Sequence, residues 1–213
     1  MKRITFSFAI LFLLLSSAAE SPAAKSLSVA IVGAINDDPR WQAVDEAVRF
    51  WNKQLEDAGV DVRLGPVARL IQPVSDDALC KLSEVGGYGP FEPDIPEQLQ
   101  QIPGEIIVAL STADLISFGL RWRSDRKGLV GMRRADTPPL SLPNVLRNVV
   151  AHELGHVLGL RHNSDPTTLM CGRPSSCLPA LYAADRTQFF PLTPADISIL
   201  RARWHPSPVD ITR

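Results

Sequence analysis

The sequence predicts a single domain of the α+β class, α/β-like in its alternation, built around a mixed sheet. Apolar runs rich in β-branched residues alternate with stretches of helical apolar periodicity. The order runs strand, helix, strand, further strands, helix, irregular segment, helix. A chain of 213 residues with 45% hydrophobic side chains has enough apolar material for one sizeable core.

The N-terminus comes first and is read apart from the fold. Lys2 and Arg3 precede an uncharged apolar run at residues 6–15, and SSAAESPAA then supplies small residues for cleavage after Ala19 or Ala23. The run is about ten residues, whereas a membrane span needs roughly 20. Residues 1–24 therefore read as a signal peptide. The mature chain, 25–213, is expected to be secreted or periplasmic, free of the membrane after cleavage, and monomeric. A net charge of −1 argues against a nucleic-acid partner.

LSVAIVGAI, residues 27–35, reads as a buried strand. Asp37, Asp38 and Pro39 then start a helix whose Trp41, Val44, Val48, Trp51 and Leu55 fall at three- and four-residue spacing. Gly59 closes it. VDVRLGPVARLI reads as a strand region broken at Gly65-Pro66. Residues 73–103, rich in Gly, Pro, Asp and Glu, read as a long loop with a short helix at 76–82. GEIIVALST and GLVGMRR are strands, and Arg121, Arg123, Arg126 and Lys127 read as a solvated loop. LPNVLRNVVAHELGHVLGL is a helix capped by Ser141 or Asn144 and ended by Gly159. In LTPADISILRARW, Thr193, Pro194 and Asp196 form a capping-box start.

Three of the chain's four histidines lie in HELGHVLGLRH. His152 and His156, four apart on a helix, place their imidazoles one turn apart on one face. That spacing suits two ligands of one zinc ion. Glu153 projects about 100° away, badly placed as a ligand but able to reach a water on the metal as general base. Gly159 can take positive φ and turn the chain so that His162 returns as third ligand. Three neutral imidazoles leave a fourth position open, where bound water can reach a pKa of about 7. A closed structural zinc is the competing reading, with Cys171 or His205 as fourth ligand.

The three cysteines leave pairing open. Cys171 and Cys177 are near enough to close a small loop, Cys80 could pair with either, and all three could be free thiols.

HExxHxxGxxH followed by a methionine turn is the metzincin signature. Met170, in TTLM, follows His162 by eight residues, and LTPADISIL comes after it. In these features the chain resembles the matrixin branch, the matrix metalloproteinase type of catalytic domain. The resemblance implies a metzincin fold with an upper part to about residue 160 and a lower part over 161–213. It implies His152, His156 and His162 as ligands of one catalytic zinc, Glu153 as the base, and Met170 as the apolar floor. It also implies that Gly128, Leu129, Val130, Gly131 and Met132 form an edge strand that pairs with an extended protein or peptide substrate.

The chain departs from the family in several places. Histidines for a second, structural zinc are missing before the helix, recognisable calcium loops are missing too, and neither ion is predicted. CGRPSSC replaces the usual Tyr-Pro after Met170, in the wall of the specificity pocket, and a Cys171–Cys177 disulfide would staple that wall. Asn163 and Asp165 are candidates to orient a ligand histidine. The expected function is a secreted zinc endopeptidase that hydrolyses peptide bonds with a zinc-activated water. The alternative is a zinc-containing peptide-binding module without turnover.

Overall fold

The computed structural model describes residues 24–33, 37–85, 94–122, 127–184 and 186–204. All but residue 24 of the leader expected at residues 1–24, the cationic positions Arg123 and Arg126, and His205 lie outside them. Within these residues no helix is long and apolar enough to cross a membrane.

A five-stranded mixed sheet organises the chain. Its strands are β1 (Lys25–Val32), β2 (Val62–Arg69), β3 (Ile106–Leu110), β4 (Phe118–Arg121) and β5 (Gly128–Met132), in the order β2-β1-β3-β5-β4. All neighbours pair in parallel except β4, which runs antiparallel to β5. Two helices cover one face: α1 (Pro39–Asp57) and α4 (Pro143–Leu158). There Val29, Ile31, Val108 and Val130 meet Val44, Trp51, Val150 and Leu154 in one core. On the other face Ala30, Val32, Ile107 and Leu129 meet Leu79 and Leu82 of α2 (Asp76–Val85) and Leu99 of α3 (Glu97–Gln100). A sheet covered on both sides explains why IIVAL is apolar at every position.

Two helix starts were legible. Asp38 caps α1, its side chain accepting from the Arg40 amide with Pro39 next in line. Thr193 caps α5 (Pro194–Trp204): its amide donates to Asp196 at 2.9 Å, and the Asp196 amide donates back to its hydroxyl at 3.1 Å. From α5, Trp204 donates to the Leu158 carbonyl at 3.0 Å and Arg201 to Ala58 at 2.8 Å. The last helix thus ties down the C-terminal ends of α4 and α1.

Three expectations are corrected. The strand around Gly65-Pro66 is not broken: β2 runs through it, and the pairing shifts register between Leu27 and Val29 opposite. β2 lies at a sheet edge, where a proline costs no internal ladder bond. Neither Ser141 nor Asn144 caps α4. Leu142 occupies the cap position without a side-chain bond and Pro143 sets the first turn, so the proline decides the start. Finally, residues 128–132 are not an edge. β5 is hydrogen-bonded to β3 on one side and β4 on the other, and all five of its residues are buried. The outer strand is β4, and Arg121, expected in a solvated loop, is its last residue.

Candidate metal centre

α4 brings His152 and His156 to one face, 8% and 9% exposed. The helix ends at Gly159 with φ 105°, and its N–H donates back to the carbonyls of Gly155 and His156. The chain reverses there and returns His162 to the other two. The three Nε2 atoms lie 3.0 to 3.1 Å from one another.

The far side of each ring fixes its tautomer. His152 Nδ1 is 2.7 Å from the Leu169 carbonyl, His156 Nδ1 is 3.0 Å from Leu160, and His162 Nδ1 is 2.9 Å from Arg173. A carbonyl can only accept, so each Nδ1 carries the proton and each Nε2 turns a lone pair toward a common point. Three lone pairs at that distance repel unless a cation stands among them. Tetrahedral zinc with Zn–N of about 2.0–2.1 Å needs nitrogens about 3.3 Å apart, within a few tenths of the separation here. The residues fit the ion. Among the described residues this is the one cluster of three or more His, Cys, Asp or Glu side chains whose ligand atoms converge.

Electrostatics agrees. Burial lowers His152 to about 4, despite the opposing bond to Leu169. Burial also takes His156 well below its ordinary value and lowers His162. All three are neutral at pH 7, the state a metal ligand requires. Glu153 is 7% exposed, and burial pushes its carboxyl up to about 8 against the bond from the Gly119 N–H. A doubly charged ion among the neighbouring imidazoles favours the carboxylate. β4 lies so close here that a Cβ on Gly119 would stand 2.1 Å from the Glu153 carbonyl oxygen.

Met170 is fully buried, and a Cβ on Gly155 would come within 2.6 Å of its sulfur. It therefore packs against α4 between the two helix histidines in sequence, beside Trp51, which donates to the Ala151 carbonyl at 2.9 Å. Cys171 and Cys177 form a disulfide with Cα atoms 5.8 Å apart, and Cys80 in α2 is free.

Other site groups went unread. Tyr182, buried in a 3-10 turn (Pro179–Tyr182), donates to the Leu169 carbonyl at 2.5 Å and lies 3.2 Å from His152 Nδ1. Asn163 and Asp165 do not play the orienting role expected of them. Their side-chain oxygens accept bonds within the 163–168 turn, and the ligand Nδ1 atoms bond backbone carbonyls instead. β4 was readable in principle, because Phe118, Leu120 and Trp122 alternate with Gly119 and Arg121 at the period of a strand.

The family model described as Matrixin matches residues 34–200. The chain belongs to the matrixin family. Matrixins are zinc metallopeptidases, so zinc is the metal this histidine cluster implies, and proteins or peptides are the substrate class. A solved structure, archaemetzincin from Methanopyrus kandleri, shares the metzincin fold with this matrixin at TM-score 0.55 and 18% identity. The match covers 87% of this chain and 98% of that one. A comparison with curated proteins finds no match.

Proposed function

We propose that this matrixin is an extracytoplasmic zinc endopeptidase, with a leader at residues 1–24 removed and residues 25–213 acting as one monomeric catalytic domain. One observation carries the reading. Three imidazoles, each with its Nδ1 proton committed to a carbonyl, converge beside a buried carboxylate.

His152, His156 and His162 hold one catalytic zinc, with Met170 packed below the helix that carries two of them. Zinc supplies Lewis acidity toward the attacking water and the scissile carbonyl. Glu153 accepts a proton from that water and passes it to the leaving amine nitrogen. Burial of Glu153 keeps bulk water from competing for the carboxylate, and the Gly119 N–H holds it in place. An extended substrate lies alongside β4, the outer strand, and pairs with it through main-chain hydrogen bonds.

The test uses purified protein with zinc on casein, gelatin and a peptide library. Hydrolysis that a chelator abolishes and zinc restores is the expected result. Bound zinc without cleavage of any substrate would favour the peptide-binding module instead. N-terminal sequencing of protein recovered outside the cytoplasm checks the leader.

A further inference from the structure

His152 and His156 owe their positions to α4, a sixteen-residue helix. His162 has no such frame. It lies beyond the Gly159 turn and is only partly buried. Its surroundings come from the segment 171–177, which departs from the usual matrixin sequence.

Three contacts bind the two together, and two more close the segment on itself. The Arg173 carbonyl, inside the segment, accepts from His162 Nδ1 at 2.9 Å. Gly172 lies flat against the imidazole, where a Cβ would stand 2.3 Å from Cδ2 and 2.5 Å from Nε2. Asn163, next to His162, bridges to Cys171, and its carbonyl accepts from the Gly172 amide at 3.2 Å. Cys171 is disulfide-bonded to Cys177, closing the segment on itself. Inside the loop, Ser175 Oγ donates to the Gly172 carbonyl at 2.5 Å.

Arg173, Pro174 and Ser176 are exposed, so little packing holds this loop from outside. Its closure depends on the covalent link and on Ser175, whose hydroxyl and amide both donate to the Gly172 carbonyl. Without the link, the chain carrying the Arg173 carbonyl gains conformational freedom. We propose that the disulfide-closed loop 171–177 is the positioning element for His162, so that zinc retention depends on the Cys171–Cys177 bond. This rests on the zinc reading given above.

The experiment measures zinc release to a chromophoric chelator from the full mature chain. It compares wild type, Cys171→Ala with Cys177→Ala, and Gly172→Ala, which keeps the disulfide but adds a methyl under the ring. Circular dichroism and thermal unfolding establish that each variant is folded. Outer-shell ligand supports change metal affinity about 10- to 100-fold, and release from both variants is expected to accelerate within that range. Cys80→Ala is expected to release zinc at the wild-type rate. If the double variant does not fold, zinc release from the wild-type chain before and after mild reduction of the disulfide decides, and a reduced chain that releases zinc no faster overturns the proposal. Folded variants that release zinc as slowly as wild type would overturn the role of the loop and leave the zinc site standing. A wild-type chain that binds no zinc would overturn both.

Discussion

The Tyr182 hydroxyl lies 3.2 Å from His152 Nδ1, and both groups donate to one acceptor, the carbonyl of Leu169. Burial and then the nearby Glu153 push the Tyr182 hydroxyl pKa up, so it stays protonated and serves as a donor. One oxygen thus fixes the tautomer of a zinc ligand and anchors the wall segment beyond the disulfide.

Tyr182→Phe removes one of those two donors and leaves the carbonyl with His152 alone. A lost neutral hydrogen bond in a buried place costs about 1 kcal/mol. The ring remains, so the core beneath α4 is kept. The expected outcome is a small loss in thermal stability and a faster zinc release, on the order of tenfold. Chelator competition beside calorimetry checks it. A stability loss with unchanged release would confine Tyr182 to packing.

Glu153 lies next to His152 in the chain, yet its carboxyl is aimed at β4, where the Gly119 N–H meets it. Gln at this position keeps the shape and one acceptor oxygen, turns the other side into a donor, and cannot take a proton. Glu153→Gln is expected to keep zinc at wild-type stoichiometry and lower kcat/KM by about 10²- to 10⁴-fold. Metal analysis and peptide hydrolysis on one preparation measure both. Near-normal hydrolysis by the zinc-loaded variant would remove Glu153 from the role of base.

Arg40 illustrates a group whose importance only the fold reveals. It is 5% exposed and paired with Asp38 at 2.5 Å. Its Nη1 donates to the Ser111 carbonyl at 2.6 Å and to Arg133 at 3.0 Å, just beyond β3 and β5. It joins the start of α1 to the ends of two central strands. Arg40→Met leaves the Asp38 carboxylate buried and unpaired. Breaking one side of a buried ion pair costs about 3–5 kcal/mol. Urea unfolding is expected to show a loss of that size. Arg40→Met with Asp38→Asn is expected to recover part of it.

What the sequence made legible and what it hid divide along one line. Features set by neighbours in the chain were readable: the Asp38 cap, the Thr193–Asp196 box, the turn at Gly159, and two histidines one helical turn apart. The third ligand was readable because a glycine at a fixed spacing announces its own turn. Features set by partners far away in sequence were hidden. β4 is four residues long and takes its strand character from β5 and α4, so its short alternation gave no strand expectation and Arg121 was expected in a loop. Pro66 suggested a break because its edge position is a property of the sheet. The carbonyls that orient the imidazoles carry no side-chain signal at all.

Glu105 gives a pH-dependent test of the junction between β1 and β3. The Ser28 hydroxyl, and then the Ser28 amide at 2.8 Å, donate to its carboxylate across β1 and the start of β3, holding its pKa below the ordinary value despite partial burial. A carboxyl lowered by folding stabilises the native state above its unfolded pKa of about 4.3, and that contribution fades as pH falls through the lower folded value. Glu105→Gln is therefore expected to be less stable than wild type at pH 7, with the difference shrinking below about pH 4. Thermal midpoints between pH 3 and pH 8 check the convergence. A constant difference across that range would mean that the charge of Glu105 is not what folding uses.

Asn144 and Asn148 on α4 act together as a substitute strand. The Asn144 amide donates to the Tyr182 carbonyl at 2.8 Å and its oxygen accepts from the Gln188 amide at 2.9 Å. Asn148 donates to the Gln188 carbonyl and accepts from the Phe190 amide, both at 2.9 Å. Asn148 is fully buried, and the main-chain groups it serves at Gln188 and Phe190 are partly buried. Asn148→Ala strands one donor and one acceptor, at about 1–3 kcal/mol each. The segment 186–190, which links the Tyr182 turn to α5, is expected to loosen first. Amide exchange should speed up at Gln188 and Phe190 well before it does in β3. Uniform acceleration across the sheet would show instead that the two asparagines stabilise the whole domain and not this segment.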